Sequence, residues 1–180
     1  MEKQRPKVGV GVMILRDNKI LLGKRHDDAE KASSDLHGEG TWTMPGGKLD
    51  FREILLDGAA REVLEETGIK IDKSKTKIIS VKDEIVPDNH YVTVGFLCQD
   101  FEGEPKVMEE EEITEWKWYN IENLPEKVFP PSANMVKAYL NKKIFLNFAN
   151  SVASYGVFSQ NFASHRKILV SKKIQGIFRA

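Results

Sequence analysis

Three glutamates, Glu62, Glu65 and Glu66, stand at spacings of three and four residues and run directly into Thr67 and Gly68. On a helix they share one face, because positions i, i+3 and i+4 lie one above another. At an effective dielectric near 20, two carboxylates about 5 Å apart repel by roughly 3 kcal/mol, a cost that a cation between them removes. Hard oxygen ligands of this kind suit Mg²⁺ or Mn²⁺. The plain alternative is a solvated acidic helix face, and the context of the string speaks against it. Gly58 lies one turn before Glu62 on the same face, where a helix-interior glycine costs about 1 kcal/mol relative to alanine. Its missing side chain leaves room for a metal-bound water or a phosphate, or equally for close backbone packing. Glu53 precedes the helix and Arg61 faces away from the carboxylate stripe. An ion pair between the two would clamp the preceding loop onto the helix.

The stretch from Gly47 to Ile69, Gly-x5-Glu-x7-Arg-Glu-Val-Leu-Glu-Glu-Thr-Gly-Ile, resembles the signature of the Nudix hydrolases, with every fixed position filled. That resemblance implies an α+β fold, an αβα sandwich around a mixed sheet. It also implies hydrolysis of a nucleoside diphosphate linked to another moiety, with a divalent metal held on a loop-helix-loop. Carried over by position, Glu62, Glu65 and Glu66 become the metal ligands, and Glu53 with Arg61 the structural clamp. Arg52 stands where the family commonly has glycine.

Over residues 8 to 140 the chain is more loosely similar to the MutT-like nucleoside triphosphate diphosphatases, through VGVGV, LLGKR, TWTMPGGKLDF, HYVT and WKWYNIENLP. The similarity implies Arg25 as a phosphate contact and Lys48 as a weaker one, with Gly46 and Gly47 of the neighbouring loop also binding substrate. An exposed arginine at a strand end is the competing reading of Arg25. FPPSANMV resembles the segment in which such enzymes read the base with an asparagine amide. Asn134 matches with a one-residue insertion, and the plainer reading is an ordinary asparagine at a helix N-terminus.

Attack of water on a pyrophosphate needs charge neutralisation, a lowered pKa for the water and a base. The base is expected at Glu62 or in the run Glu109 to Glu112, within which the resemblance to MutT-like enzymes implies Glu112, which precedes the TrpLysTrp strand at about the distance of their loop glutamate. A run of four glutamates also reads as a solvated loop. The expected products of a nucleoside triphosphate, canonical or oxidised, are the monophosphate and pyrophosphate. Trp42, Phe96 and Phe129 offer stacking surfaces or simply core packing. Two alternatives remain: an ADP-ribose or nucleotide-sugar pyrophosphatase with a pocket often built by a dimer, and a catalytically silent nucleotide-binding module.

The elements that must hold these groups follow from pattern. Apolar runs at residues 8–15 and 19–25 flank Arg16, Asp17 and Asn18 and predict a β-hairpin. The polar stretch 27–40 has no usable period and reads as a surface loop, and residues 41–47 as a short strand ended by Pro45 and two glycines. A helix is expected over about 54–67, with Asp50 and Glu53 at capping-box spacing, a stripe of Leu56, Ala60, Val63 and Leu64, and Gly68 as its stop. Residues 76–86 and 90–99 predict a second hairpin, 112–120 a strand, and 131–140 a helix with proline in its first turn.

Composition bounds the rest. The 180 residues are 41% hydrophobic, with 27 basic and 27 acidic side chains, and a chain of this size buries roughly 70% of its exposable surface without disulfides or structural metal. Cys98 is the sole cysteine, which suits a reducing, cytoplasmic setting. No apolar run approaches ~18 residues and MEKQRPK is too polar to begin a secretory signal, so no membrane partner is expected. Residues 141–180 hold seven basic side chains and no acid, leaving residues 1–140 with 20 basic against 27 acidic. An acidic main domain argues against duplex nucleic acid, whose binding needs Lys and Arg on phosphates. The expected organisation is a catalytic domain over 1–144 and a basic extension over 145–180, with a small nucleotide as substrate and a homodimer as one possible assembly.

Overall fold

The computed structural model describes residues 4–32 and 34–144. Along the chain lie β1 (Lys7–Arg16), β2 (Lys19–Arg25), β3 (Trp42–Thr43), α1 (Leu55–Thr67), β4 (Lys70–Ile71), β5 (Lys77–Ile85), β6 (His90–Cys98), β7 (Phe101–Glu102), β8 (Ile113–Asn120) and α2 (Pro130–Asn141). The expected basic extension over 145–180 lies outside the described residues. Among the described residues, no helix is long and apolar enough to cross a membrane.

Asp17 and Asn18 close the first hairpin with φ of 49° and 61°, the left-handed pair whose twist matches that of two antiparallel strands. After the pairs Leu15↔Ile20 and Arg16↔Lys19 the two strands part company. β1 runs parallel to β6 from Lys7↔Tyr91 to Ile14↔Cys98, and β2 runs antiparallel to β8 from Lys19↔Asn120 to Arg25↔Ile113. β5 pairs antiparallel with β6, with a bulge at Ile79. The result is a mixed sheet ordered β3-β2-β1-β6-β5, with β8 on the other side of β2.

The continuous apolar run of β1 is the signature of a strand covered on both faces. Val10, Val12 and Ile14 pack with Ala59 and Val63 of α1, whereas Met13 and Leu15 pack with Met135 and Val136 of α2. The two-residue period of the strand thus feeds two helices, one on each face. Full burial of each such aliphatic side chain contributes about 1.5–3 kcal/mol. Gly11 and Gly95 are register partners across β1 and β6. A Cβ on either would lie 2.5 Å or less from the Met135 side chain, so the missing side chains form the trough that seats α2.

Two local expectations change. The helix α1 begins at Leu55 with Ile54 as its N-cap and no side-chain cap bond. Glu53 does take the Asp50 backbone N–H at 3.1 Å, but this closes the turn before the helix. The strand expected over 41–47 pairs with β2 only at Trp42 and Thr43. Beyond Met44 the chain follows the edge of β1 instead, with Pro45 and Gly47 carbonyls accepting from the Val12 and Val10 N–H groups at 2.8 and 2.9 Å. The short pair β4–β7 joins Lys70–Ile71 to Phe101–Glu102, and two-residue strands leave no period to read.

Candidate active site

Between the C-terminal half of α1 and the β1–β6 face lies a cavity of about 410 Å³, lined on one side by Glu62, Glu65, Glu66 and Arg61 and on the other by Gly9, Asp35, Tyr91 and Thr93. Arg25, Glu109, Glu112, Lys48 and the Gly46–Gly47 loop also face it, and Phe129, Ser132 and Met135 bring the start of α2 to its rim. Residues separated by more than 120 positions are thereby brought around one volume.

The loop before α1 exists to admit the carboxylates. Gly46 has φ of 148°, and a Cβ there would sit 2.2 Å from the Val10 carbonyl oxygen. Its N–H donates to Glu66 Oε2 at 3.1 Å. A Cβ on Gly47 would fall 2.6 Å from Glu62 Oε2, so the glycine leaves the space that Glu62 occupies. Gly58 behaves otherwise. A Cβ there would meet Glu53 Oε2 and Leu49 Cδ1 at 2.8 Å, so its role is close packing of loop on helix and not room for water or phosphate.

Arg61 is the hub of the acidic wall. Its Nε and one terminal nitrogen donate to the two Glu53 oxygens at 2.8 and 2.9 Å, a forked pair. The other terminal nitrogen donates to Glu62 at 2.8 Å and Glu65 at 3.0 Å. The guanidinium therefore does not face away from the carboxylate stripe: it reaches around the helix and spans Glu62 and Glu65. Those hydrogen bonds, with the Asp50 N–H, hold the Glu53 carboxyl down to about 2. Glu66 is 8% exposed, and burial lifts its carboxyl well above the usual range, helped by Glu62, Glu109 and Glu112. Burial raises Glu62 as well, against the pull of Arg61.

Among the described residues, no three of these carboxylates converge as a ready coordination shell; Arg61 stands between Glu62 and Glu65 as the counter-charge. The donor set nevertheless fits a hard divalent cation, since it offers oxygen ligands only and includes a buried carboxylate disfavoured as a bare anion.

Arg25 is not an exposed strand-end arginine. It is 8% exposed, donates to the Ala32 carbonyl oxygen, and lies 5.7 Å from the Phe129 ring centroid. Among the described residues its Nε finds no hydrogen-bond partner. Burial pulls its pKa down, and Glu112, Glu66 and Glu39 pull it back up. In the Glu109–Glu112 turn, the Glu112 N–H donates to the Glu109 carbonyl oxygen at 3.1 Å. Glu109 and Glu112 both line the cavity. Burial, then Glu112 and Glu65, raises the Glu109 carboxyl, a neighbour that the choice of Glu112 alone passed over.

The remaining expected contacts divide. Lys48 lines the cavity with its ammonium on Asp35 Oδ2 at 3.1 Å. Asn134 does not line it: its amide donates to Glu84 Oε1 at 2.8 Å in the interior between α2 and β5. On that helix turn Pro131, Ser132 and Met135 line the cavity, and the Ser132 Oγ accepts the Met44 N–H at 2.9 Å. Among the three aromatics, Phe96 is core, Trp42 packs edge-on against Tyr119 at 4.9 Å, and Phe129 lines the cavity. Asp35 and Tyr91 were invisible to sequence reasoning, because a loop aspartate and a strand tyrosine 56 residues apart carry no local signal.

Comparison with known proteins gives a consistent family. The NUDIX domain profile matches residues 5–139. An ADP-ribose pyrophosphatase of Methanocaldococcus jannaschii is 30% identical over 139 residues, 77% of this chain and 75% of the relative. An oxidized purine nucleoside triphosphate hydrolase of Danio rerio is 28% identical over 139 residues, 76% of this chain and 81% of the relative. Among solved structures, a MutT NUDIX hydrolase from Burkholderia pseudomallei superposes with a TM-score of 0.67 at 31% identity, covering 75% of this chain and 98% of that one.

Proposed function

This chain belongs to the Nudix family and is a pyrophosphohydrolase, and we propose that it hydrolyses a nucleoside triphosphate, canonical or oxidised, to the monophosphate and pyrophosphate with Mg²⁺ or Mn²⁺. Glu62, Glu65 and Glu66 would hold the cation, which when bound neutralises phosphoryl charge and lowers the pKa of water. The Glu53–Arg61 fork keeps the glycine loop against α1, so that the Gly46 N–H orients Glu66. Glu112, whose charge acts on both Arg25 and Glu66, is the proton acceptor at its carboxylate, and Glu62 the alternative.

The observation that carries the triphosphate reading is Arg25. A buried guanidinium lining the same cavity as Lys48 and the Gly46–Gly47 loop supports a substrate that brings its own anionic oxygens. A competing reading rests on the Methanocaldococcus jannaschii relative, an ADP-ribose pyrophosphatase.

The test is a panel of dNTPs, oxidised dNTPs, ADP-ribose and nucleotide sugars with Mg²⁺ and with product identification. The reading expects monophosphate plus pyrophosphate from a triphosphate, at a kcat/KM at least about tenfold above that for ADP-ribose, or about 1.4 kcal/mol of transition-state preference. The opposite ranking overturns it.

A further inference from the structure

On the wall of the cavity, the loop after β2 is fastened by one carboxylate. Asp35 accepts from the Tyr91 hydroxyl at 2.5 Å, from the Lys7 ammonium at 2.7 Å and from the Lys48 ammonium at 3.1 Å. These partners come from β6, β1 and the glycine loop, and all three bonds fall on Oδ2. The side chain of Asp35 remains 31% exposed and lines the same cavity as the acidic helix face. The three bonds hold the carboxyl well below the usual range, so it presents acceptor lone pairs only.

We propose that Asp35 is a specificity-determining residue whose second oxygen, Oδ1, accepts a hydrogen bond from the exocyclic amine of a nucleobase, selecting amine-bearing bases over their amine-free counterparts. The argument is geometric. With Oδ2 carrying two ammonium groups and a phenol, the carboxylate cannot rotate without breaking bonds from three separate segments. Its other oxygen is therefore a fixed acceptor, and a fixed acceptor facing a cavity discriminates donors strongly because the wrong partner leaves it unpaired. Asp35 lines the same cavity of about 410 Å³ as Arg25 and the Gly46–Gly47 loop, so a nucleotide whose phosphates meet that loop keeps its base within the volume that Asp35 borders.

The inference rests on the triphosphate reading, and the experiment separates the two. Steady-state kinetics with Mg²⁺ would compare dGTP with dITP, dATP with dITP, and dCTP with dUTP. The wild-type enzyme should favour the amine-bearing member of its best pair by tenfold or more in kcat/KM. In Asp35→Asn the amide oxygen can keep the Tyr91 and lysine bonds, which turns the amide N–H toward the base. The preference should then vanish or reverse toward the carbonyl-bearing analogue. Tyr91→Phe removes one fastening and leaves Oδ1 intact, so it should lower all substrates alike and keep the preference. Equal rates on both members of every pair in the wild type, or an Asp35→Asn variant that loses activity uniformly with its preference unchanged, overturns the proposal while leaving triphosphate hydrolysis standing. Hydrolysis of no triphosphate at all, with ADP-ribose cleaved, overturns both.

Discussion

Two parts of the cavity lining are built in opposite ways. The acidic wall is local: Glu53, Arg61, Glu62, Glu65 and Glu66 fall within fourteen residues, and one helix with the turn before it places all of them. The other part is assembled across the fold, with Lys7 from β1, Asp35 from a loop, Lys48 from the glycine turn and Tyr91 from β6. The local wall concentrates like charge and holds it with a single arginine. The assembled wall gathers two ammonium groups and a phenol on one carboxylate. A site of the first kind is unsatisfied until a cation arrives, whereas one of the second kind is already hydrogen-bonded and offers a ligand only the atoms left over.

The sharpest break in that comparison is Glu66→Gln. Loss of a buried ligand oxygen should lower Mg²⁺-dependent kcat by about three orders of magnitude. Chelator-treated protein should melt at the same temperature or higher, since a buried charge is gone while the Gly46 N–H still has an oxygen to meet. Undiminished turnover would remove Glu66 from the metal set. Next in size is Glu112→Gln, expected to cost about 10²–10⁴-fold in kcat as a lost proton acceptor. Glu109→Gln should cost less, and a reversed order in the same assay would transfer the role.

Glu53→Gln should injure the acidic wall through its scaffold. Its melting temperature should fall further than that of Glu66→Gln, with activity reduced about tenfold through loop position. Equal stability of the two variants together with lost metal affinity in the Glu53 variant would exchange their roles.

The charge imbalance also sets a pH dependence. The Glu66 and Glu62 carboxyls lie above their usual value of 4.5 in the native protein, so the native state holds more protons than the unfolded chain above that pH. Stability of chelator-treated protein should therefore decline as pH rises from about 4.5 toward neutrality. Glu53, held at about 2, has the opposite sign, and its stabilisation appears as pH rises from about 2 to 4.5 and persists above. Denaturant titrations between pH 4.5 and 7.5 would show the decline, and saturating Mg²⁺ should flatten it. The smallest effect is at Arg52, whose φ of 69° places a bulky residue in the left-handed region. Arg52→Gly should stabilise by up to about 1 kcal/mol, the relief of backbone strain less the added freedom of the unfolded chain, visible as a small rise in melting temperature.

Sequence by itself determined what depends on short separations. A helix converts i, i+3 and i+4 into a face, so Glu62, Glu65 and Glu66 were legible together, as were Gly68 as the αL stop of α1 and the Asp17–Asn18 turn. Only the tertiary structure decided which polar groups meet across strands and loops. Arg25 reads from sequence as a phosphate contact or an exposed strand end, and its burial follows only when the loop through Ala32 and Gly38 closes over it. Asn134 reads as a base contact or an ordinary asparagine at a helix N-terminus, and its partner Glu84 is decided only when α2 settles over the Gly11–Gly95 trough. Asp35 sits in a stretch without any period, and its partners lie 28 positions before it and 13 and 56 after it. Such contacts depend on strand order and loop closure, which no local spacing encodes, because side chains distant in sequence share a position only after the backbone between them has been placed.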